Sequence, residues 1–436
     1  MPLEYLLSLG LLWSLALLIA SLRGYGSTCP PHLTKWQVIS LIFTIALLAR
    51  LVPSILIPIG AGHDITSYSI VAELLNSGKD VYSAPEAVNR HPYLPFQMYW
   101  MLISYKWSLL TGLSFVKIVR LLPILADATI AVIVFEIILD TDKDLNHAWQ
   151  GGLLYALNPI TIFVVAYHGQ FDTIPILLIL TSWMFWYKWP HWNLYLRITL
   201  SASCLGLAIL SKSWPILFLP IMMIVVPKLR NKLIYIAITA FIPLSAIVIY
   251  AILFNANFMD IVTPTITYNH GIGIWGYSYL VRLGTHLGIL RLEIFEWVLI
   301  IGRWITLGLI GITFWFYARK WDAMGGLLLL LLGFLTFGHA FSIQYLAWII
   351  PFAIIVNHRL QLKRFLLAAS AYMILAYFTL ILLFRIDELF EWSFADLALV
   401  IPLGIPAWLI ILHWFFKGCT EDYQGSIPTI RIQTFK

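Results

Sequence analysis

The sequence predicts an all-α protein, a polytopic bundle of membrane-spanning helices with about 12 to 14 spans. Three observations predict this fold class. Of the 436 residues, 61% are hydrophobic and 11% are charged, whereas soluble domains have about 25% charged residues. The mean hydropathy is +0.88, which is too high for a large soluble core. Apolar runs long enough to cross a bilayer recur along the whole chain, separated by short polar loops.

The apolar runs give about fourteen candidate helices. The first, 4–22, lacks a basic leader and a clear small-residue cleavage site before Arg23. It is therefore interpreted as a retained span and not as a signal peptide. The two longest polar stretches are 59–91 and 256–291. The remaining runs have the approximate bounds 36–58, 92–112, 116–139, 147–167, 171–189, 195–212, 214–227, 232–255, 292–317, 322–338, 342–357, 363–384 and 394–416.

The net charge of +6 comes from Lys and Arg in short loops. No basic stripe for nucleic acid is present in this pattern, so the cations report membrane orientation instead. The basic loops 227–232, 318–321 and 358–364 are expected on the cytoplasmic side. Counting spans from them places 256–291 and the motif "HGQFD" (168–172) on the opposite side, and a cytoplasmic first loop, 21–36, places 59–91 there as well. The three cysteines are too scattered for a zinc site or a disulfide framework.

This orientation contains a conflict in the number of crossings. Two sites on one side of a membrane must be separated by an even number of spans. Three apolar runs, 92–112, 116–139 and 147–167, separate 59–91 from "HGQFD". Unless the two sites lie on opposite faces, one run is expected to be re-entrant, broken or lying on the surface. Pro159 could break the third run, because proline lacks an amide hydrogen.

The first outward loop contains a stretch of a different kind, 65–77. Its apolar residues recur at helical spacing, and its polar residues fall on the other face. It is too short and too polar to span a membrane, so we expect an amphipathic helix that lies in the membrane interface. The apolar face is Ile65, Tyr68, Val71, Ala72 and Leu75, and the polar face is Ser67, Ser69, Glu73 and Asn76.

Ionisable groups in or beside membrane segments cost about 2.5–3.5 kcal/mol each to insert, so each is a candidate site residue. Asp64 is the only carboxylate between Arg50 and Glu73 and lies where a span leaves the membrane. The alternative role for Asp64 is to cap the following helix. Arg50 is interpreted as snorkelling or packing, and Asp127 as bonded to a neighbouring helix.

The "HGQFD" motif places His168 and Asp172 four residues apart, on one face if the motif is helical. Hydrogen bonding to substrate or within the protein is favoured there over simple solvation and over a metal, since zinc needs three or four strong ligands. Lys212, at a span end, either snorkels or binds an anion. Arg303 lies deep in a span, so a buried partner or an anionic ligand is expected. Two further residues are either interface anchors or site residues: Gln344 and Tyr345.

The order of these motifs along 36–357 resembles the polytopic GT-C glycosyltransferases. The likeness is closest to the mannosyltransferases acting on glycosylphosphatidylinositol precursors and to prokaryotic polyprenol-phosphate-mannose-dependent enzymes. The first loop carries an acid, a Tyr and then Gly-x-x-x-Tyr, here Asp64, Tyr68, Gly78 and Tyr82. The other segments are "RHPYLPFQMYW" (90–100), "LNPITIFVVAYHGQFDTIP" (157–175), "LSKSWPILFLPI" (210–221), "SIQYLAWIIPF" (342–352) and, more loosely, "TYNHGIGIWGYSYLVR" (267–282).

The resemblance implies a GT-C type fold and an inverting transfer of mannose or a related hexose on the extracytoplasmic or lumenal face. The donor would be a polyprenyl-phosphate-linked sugar, and the acceptor a lipid or glycan. Asp64 is expected to be the catalytic base, with His63 as a rival. No cofactor is expected; Thr66 replaces the second acid of the eukaryotic Asp-x-Asp pair, and a divalent cation is not favoured. The residues expected to bind substrate are His63, Tyr68, Arg90, His91, His168, Gln170, Asp172, Lys212, Arg303, Gln344 and Tyr345.

Four regions follow from this interpretation. They are an extra N-terminal span with its loop (1–35), a catalytic membrane domain (36–357), C-terminal spans (358–417) and a cytoplasmic tail (418–436). Two other classes of function remain open. A transporter or flippase for a lipid-linked or polar solute often has broken helices at matched positions, and no matched pair is evident. A non-catalytic membrane scaffold would not need a cluster of polar groups on one face.

Overall fold

The structure, a computed structural model, describes residues 3–24, 26–57, 62–267, 271–375 and 401–420. Within these ranges the chain is helical apart from loops and one isolated antiparallel bridge, which confirms the all-α class. The first helices are α1 (Leu3–Gly24), α2 (Lys35–Leu56), α3 (Gly62–Asn76), α4 (Gln97–Thr111), α5 (Phe115–Val119), α6 (Leu121–Asp142), α7 (Leu145–Ala156), α8 (Pro159–Ile162), α9 (Thr173–Tyr187) and α10 (Leu194–Ser211).

The second half continues the same helical pattern, with short 3-10 turns between some of the helices. The α-helices are α11 (Phe218–Val225), α12 (Leu229–Phe254), α13 (Phe258–Thr267), α14 (Gly276–His286), α15 (Leu292–Phe316), α16 (Ala323–Phe337), α17 (Ile350–Ile355), α18 (Arg359–Tyr372) and α19 (Ile405–Thr420). The 3-10 turns are Pro85–Ala87, Trp214–Leu217, Ala318–Lys320, Ile343–Ala347 and Ile401–Gly404. Phe163–His168 forms a π-helical turn.

Seven helical segments among the described residues are long and apolar enough to cross a membrane, so the chain has the length and composition of a multi-pass membrane protein. They are Lys35–Leu56, Phe115–Asp142, Leu145–His168, Leu194–Ser211, Leu229–Phe254, Leu292–Lys320 and Pro402–Thr420. Five more apolar helices are shorter: Leu9–Gly24, Thr173–Tyr187, Trp214–Val225, Ala323–Phe337 and Ile343–Ile355. The predicted 12 to 14 full spans therefore included several helices that are too short. The predicted runs 363–384 and 394–416 and the tail 418–436 lie partly outside the described residues.

Charged side chains gather at one end of the bundle, which we name the charged end. Glu136 on α6 pairs with Lys35 at the start of α2, with a closest distance of 2.8 Å, and with Lys188 after α9. Lys188 also pairs with Asp140, at 2.9 Å. The rings of Trp321 and His358 are 5.9 Å apart at their centroids. This contact joins two of the basic loops that were predicted to share one side.

The opposite end, which we name the site end, contains the end of α2, the start of α6 and the π-helical turn. Buried Arg120 connects them, since its guanidinium donates to the carbonyl of Ile57 at 3.1 Å and to that of Tyr167 at 2.7 Å. A cation suits these positions because the last carbonyls of a helix carry partial negative charge. Arg120 was not singled out from the sequence, although it bonds the end of α2 to the end of the π-helical turn.

The contacts of α4 show which of the three predicted runs does not cross. Gln97 at its start donates to the Ser211 hydroxyl at the end of α10, at 2.8 Å. α5 runs back beside α4, and the indole of Trp100 donates to the Val119 carbonyl at 2.8 Å. Residue 120 then lies at the site end again. The chain therefore enters and leaves at the same end between 97 and 120, and α6 and the segment that begins with α7 provide the two crossings.

The break predicted at Pro159 is present but does not turn the chain back. α7 ends at Ala156, and Asn158 then caps α8 by accepting from the amides of Ile160 and Thr161. Pro159 occupies the first helical position, where its missing amide hydrogen has no cost. The segment continues through the π-helical turn to His168 and reaches the site end.

Two polar residues of the spans serve the fold. Arg50 and Asp127 are fully buried, form an ion pair, and join α2 to α6. The Tyr155 hydroxyl donates to the same carboxylate from α7, and Arg50 also donates to the Ala46 and Ala156 carbonyls. Arg50 therefore does not snorkel, and Asp127 bonds neighbouring helices as predicted.

The helix predicted at 65–77 is present as α3, and its five predicted apolar residues are buried. They pack against α4 within one apolar cluster. On the predicted polar face, Glu73 and Asn76 are exposed, but Ser67 is buried. Ser67 is on the polar face but is covered, because its hydroxyl donates to the His63 carbonyl at 2.7 Å and accepts from Arg90 at 3.3 Å.

Candidate functional site

The site begins with Asp64, in the first turn of α3. Its Oδ2 lies 2.8 Å from His168 Nε2 and accepts the Gln170 amide at 2.8 Å. Oδ1 makes no hydrogen bond to any described residue, and the side chain is 33% exposed. The carboxylate bonds to the "HGQFD" loop and not to a backbone amide of its own helix. Capping of α3 is therefore not the role that its geometry supports.

The surroundings of Asp64 favour its ionised form. Burial raises the pKa of the carboxyl, but the hydrogen bond from His168, the charges of His168 and His63, and the Gln170 amide lower it more. The pKa is lowered overall from its ordinary value. Asp64 is therefore a carboxylate at neutral pH and can accept a proton through Oδ1. His63 precedes Asp64 in the first turn of α3.

Gly169 allows the "HGQFD" loop to approach α3 closely. Its φ of +81° lies in the left-handed region, and a Cβ there would stand 3.0 Å from Ile65 Cδ1. The side chain of Arg120 would also be in contact, at 3.4 Å. Glycine avoids both problems, because it has no Cβ. The sharp turn at Gly169 is what brings His168 and Gln170 to the same oxygen of Asp64.

A buried ion pair forms the second part of the site. Lys212 Nζ donates to Asp172 Oδ2 at 2.6 Å, and the Trp348 indole donates to Oδ1 at 2.7 Å. Asp172 lies at the N-terminus of α9 and Lys212 at the C-terminus of α10, which pack against each other. Each charge is therefore placed where the helix macrodipole stabilises it. Lys212 does not snorkel, since it is 6% exposed and held by this partner.

Tyr93 links the two parts, although the sequence interpretation missed it. Its ring lies under Lys212, with Nζ 5.3 Å from the centroid. Burial raises the pKa of Tyr93 well above its ordinary value, and the charges of Asp64 and Asp172 raise it further. Both carboxylates therefore act on this one phenol. Its position in "RHPYLPFQ", beside two predicted residues, is the signal that could have identified it.

His91 and Arg90 approach the site from the same loop. The His91 ring is 4% exposed and lies 5.8 Å from the Tyr82 ring and 5.6 Å from the Tyr93 ring. Neither of its nitrogens bonds to a described residue, and the same holds for Gln170 Oε1. Burial lowers the pKa of His91 to about 3, so the ring is neutral. Buried polar atoms without partners cost about 1–3 kcal/mol each, so a bound polar molecule would satisfy them.

Two of the remaining predicted residues, Tyr68 and Tyr345, contact aromatic side chains of the site. The Tyr68 ring lies 4.8 Å from the Phe171 ring inside the loop, and the Tyr345 ring lies 4.2 Å from the Trp348 ring. Both therefore border the site. Gln344 is buried and accepts from the Ser342 hydroxyl within its own turn.

Arg303 is not deeply buried, so the expected burial was wrong. It donates to the carbonyl of Ile266, and together with burial its charge lowers the pKa of His339 to about 4. The cation that the structure brings to the Asp172 carboxylate is Lys212. Lys212 is thus better placed than Arg303 to act beside the two carboxylates.

The ion pair lies at one end of a helix that is shorter than a bilayer is thick. α9 has fifteen residues and is about 22 Å long at 1.5 Å per residue. The hydrocarbon core of a bilayer is about 30 Å thick. Lys188, at the other end of α9, belongs to the charged end, so a bilayer with one surface at Lys188 would extend beyond Asp172. α16 and the segment 343–355 are also shorter than a full span.

No gathering of three His, Cys, Asp or Glu side chains that could hold a metal ion occurs within the described ranges. Comparison of the chain with models of known protein families, with curated proteins and with solved structures gave no match. The chemistry of the site therefore follows from its own residues: an ionised carboxylate with one oxygen that no described residue bonds, a buried lysine, and the polar atoms of His91 and Gln170 that lack partners among the described residues.

Proposed function

We propose that the chain is a membrane glycosyltransferase of the GT-C type. It transfers mannose or a related hexose from a polyprenyl-phosphate donor to a lipid or glycan acceptor, with inversion, on the extracytoplasmic or lumenal face. The observation that carries this proposal is the Asp64 carboxylate. It is ionised and held through Oδ2 by two donors, and its Oδ1 makes no hydrogen bond to a described residue. We propose that it stands at the mouth of a recess in the membrane that contains the buried Lys212.

The residues support each part of the reaction. Asp64 Oδ1 accepts the proton of the acceptor hydroxyl while that oxygen forms a bond to the anomeric carbon. The bond from the anomeric carbon to the phosphate oxygen breaks, and its electron pair leaves with the polyprenyl phosphate. The phosphate gains one negative charge, which the ammonium of Lys212 stabilises. Lys212 can supply this charge because Asp172 holds it in place without using all three of its donors.

The site end also suits a lipid-borne substrate. α3 and α4 form a ledge there, and we propose that α3 lies in the membrane interface. α4 does not cross the bundle, yet it exposes large apolar residues, including Leu109 and Leu110 at 65% and 86%. Such residues are stable against lipid, so the ledge can lie at headgroup depth. A polyprenyl chain can then lie in the bilayer while its phosphate enters the recess.

Replacing Asp64 by Asn tests the proposed base. Asn keeps the size of the side chain and an oxygen for His168 and Gln170, but it cannot accept the proton. Transfer from a synthetic polyprenyl-phosphate hexose should fall by about 10²- to 10⁴-fold, with unchanged expression and donor binding. Glu73→Gln is the matched control, because Glu73 is an exposed carboxylate on the outer face of the same helix. Near-normal turnover of folded Asp64→Asn protein would move the role to His63 or Asp172.

A transporter is the second candidate, because several apolar helices are shorter than a full span, as are the broken helices of many transporters. The two functions differ in what the recess holds. Mass spectrometry of molecules that co-purify with the protein separates them. A polyprenyl-phosphate sugar supports the transferase, and in that case mixing with acceptor should release polyprenyl phosphate. Release of an unchanged solute without any covalent change supports a transporter.

A further inference from the structure

We propose that a groove at the charged end, remote from Asp64, binds the headgroup of an anionic phospholipid. The groove lies between α11, α12 and α15 and has a volume of about 470 Å³. Apolar side chains form most of its wall, and two cations complete it. The lining residues are Pro220, Met223 and Ile224 on α11, Lys232 on α12, Phe314 on α15 and Arg319 in the turn after it.

The groove opens toward lipid. The spans Leu229–Phe254 and Leu292–Lys320 bury only 17% and 22% of their most apolar stretches inside the protein. α11 is eight residues long, so it cannot fill the space beside two full spans. The large apolar side chains exposed near the groove are Leu229, Leu233, Ile236, Ile312, Trp315 and Phe316. Apolar surface of this extent is stable against acyl chains, which can continue from the headgroup into the groove.

The two cations make the groove selective for negative charge. Neither Lys232 nor Arg319 forms an ion pair with a carboxylate of the described chain. The Arg319 guanidinium lies 4.3 Å from the centroid of the Trp315 ring, which orients its planar fork of donors. Arginine binds phosphate through two parallel hydrogen bonds, and lysine adds a mobile point charge. Snorkelling would explain the position of Lys232 or of Arg319 taken singly. A phosphate bound between them would explain why both cations lie beside the same apolar wall.

Lipid binding to the purified full-length chain tests the proposal. Native mass spectrometry in a neutral detergent measures the affinity for phosphatidylglycerol, phosphatidylcholine and inorganic phosphate separately. Each cation near a membrane surface contributes about 1 kcal/mol. The double variant Lys232→Gln/Arg319→Gln should therefore bind phosphatidylglycerol about 10- to 30-fold more weakly, with little change for phosphatidylcholine.

Two further variants fix the position of the site. Lys363→Gln/Arg364→Gln removes the same charge from exposed residues of another basic loop, and it should leave phosphatidylglycerol binding nearly unchanged. Met223→Trp keeps both cations but narrows the groove, so it should weaken binding as well. An equal loss in the Lys363/Arg364 variant, full binding by either groove variant, or displacement of the lipid by inorganic phosphate would each overturn the proposal.

Discussion

The ion pair between Asp172 and Lys212 gives the sharpest stability prediction. The Asp172 side chain is 0% exposed and that of Lys212 is 6% exposed. Removing one partner of a buried pair leaves an uncompensated charge and typically costs about 3–5 kcal/mol. Lys212→Met should therefore destabilise the protein by this amount, even though the Trp348 indole still donates to Asp172. Replacing both charges, in Asp172→Asn/Lys212→Met, should recover most of the loss.

Thermal unfolding in detergent measures this effect. Trp214 stacks on Trp348 with centroids 4.6 Å apart, so tryptophan fluorescence reports directly on the neighbourhood of the pair. Lys35→Met is the matched control, since Lys35 pairs with Glu136 but is 43% exposed. A pair that exposed contributes at most about 1 kcal/mol. Its unfolding temperature should change much less than that of Lys212→Met.

The double variant also separates stability from activity. If Lys212 stabilises the leaving phosphate, the folded double variant should remain nearly inactive although its stability has returned. A wild-type level of transfer by this variant would show that the pair is only structural. The reasoning about burial fails if Lys212→Met is no less stable than Lys35→Met. That outcome would mean that water in the recess already compensates the charge of Asp172.

Two further predictions follow from the site loop and the crossings. The pKa of His91 is about 3 in the folded protein, and its ordinary value is about 6.5. As pH falls below 6.5, the unfolded chain binds a proton at His91 before the folded protein does. The stability that is present above pH 6.5 is therefore lost as pH falls. The loss at pH 5 is about 2 kcal/mol, so the unfolding temperature of His91→Gln should fall less between pH 8 and pH 5 than that of the wild type; equal falls would contradict this. In a cysteine-free background, cysteines at the exposed positions Ser83 and Ser213 should react with an impermeant thiol reagent from one side, and a cysteine at Lys143 from the other; labelling of positions 83 and 213 from opposite sides would contradict the path of α4.

The sequence was sufficient for features that depend on local pattern. Periodicity located α3 and its apolar face, and the missing amide hydrogen of proline located the interruption at Pro159. The grouping of Asp64 with "HGQFD" came from the order of motifs, and the structure places these residues in contact. Composition and the length of the apolar segments indicated a membrane bundle, because the insertion of an apolar helix into lipid does not depend on contacts between distant segments.

The features that were missed depend on contacts between distant segments. Ser67 shares the polar face of α3 by spacing, but the loop that carries Arg90 covers it. Tyr93 and Trp348 lie inside motifs that were recognised, yet only packing brings them to Lys212 and Asp172. α4 was counted as a span because hydropathy does not report where a helix ends. The return of the chain to the same end through α5 is visible only from tertiary contacts such as those of Gln97 and Trp100.

The contacts of the "HGQFD" loop explain why this apolar chain has polar residues between two hydrophobic segments. Its side chains join segments that are far apart in sequence: His168 bonds 104 residues back to Asp64, and Asp172 accepts from Lys212, 40 residues on, and from Trp348, 176 residues on. Each buried polar group costs free energy unless it is bonded, so these groups are stable only when α3, α9, α10 and the turn before α17 are all in place. The same contacts hold Asp64 and Lys212 at the two ends of one loop. Folding of the bundle and assembly of the proposed catalytic pair are therefore one process, and a substitution that shifts any of these four elements should impair transfer before it unfolds the protein.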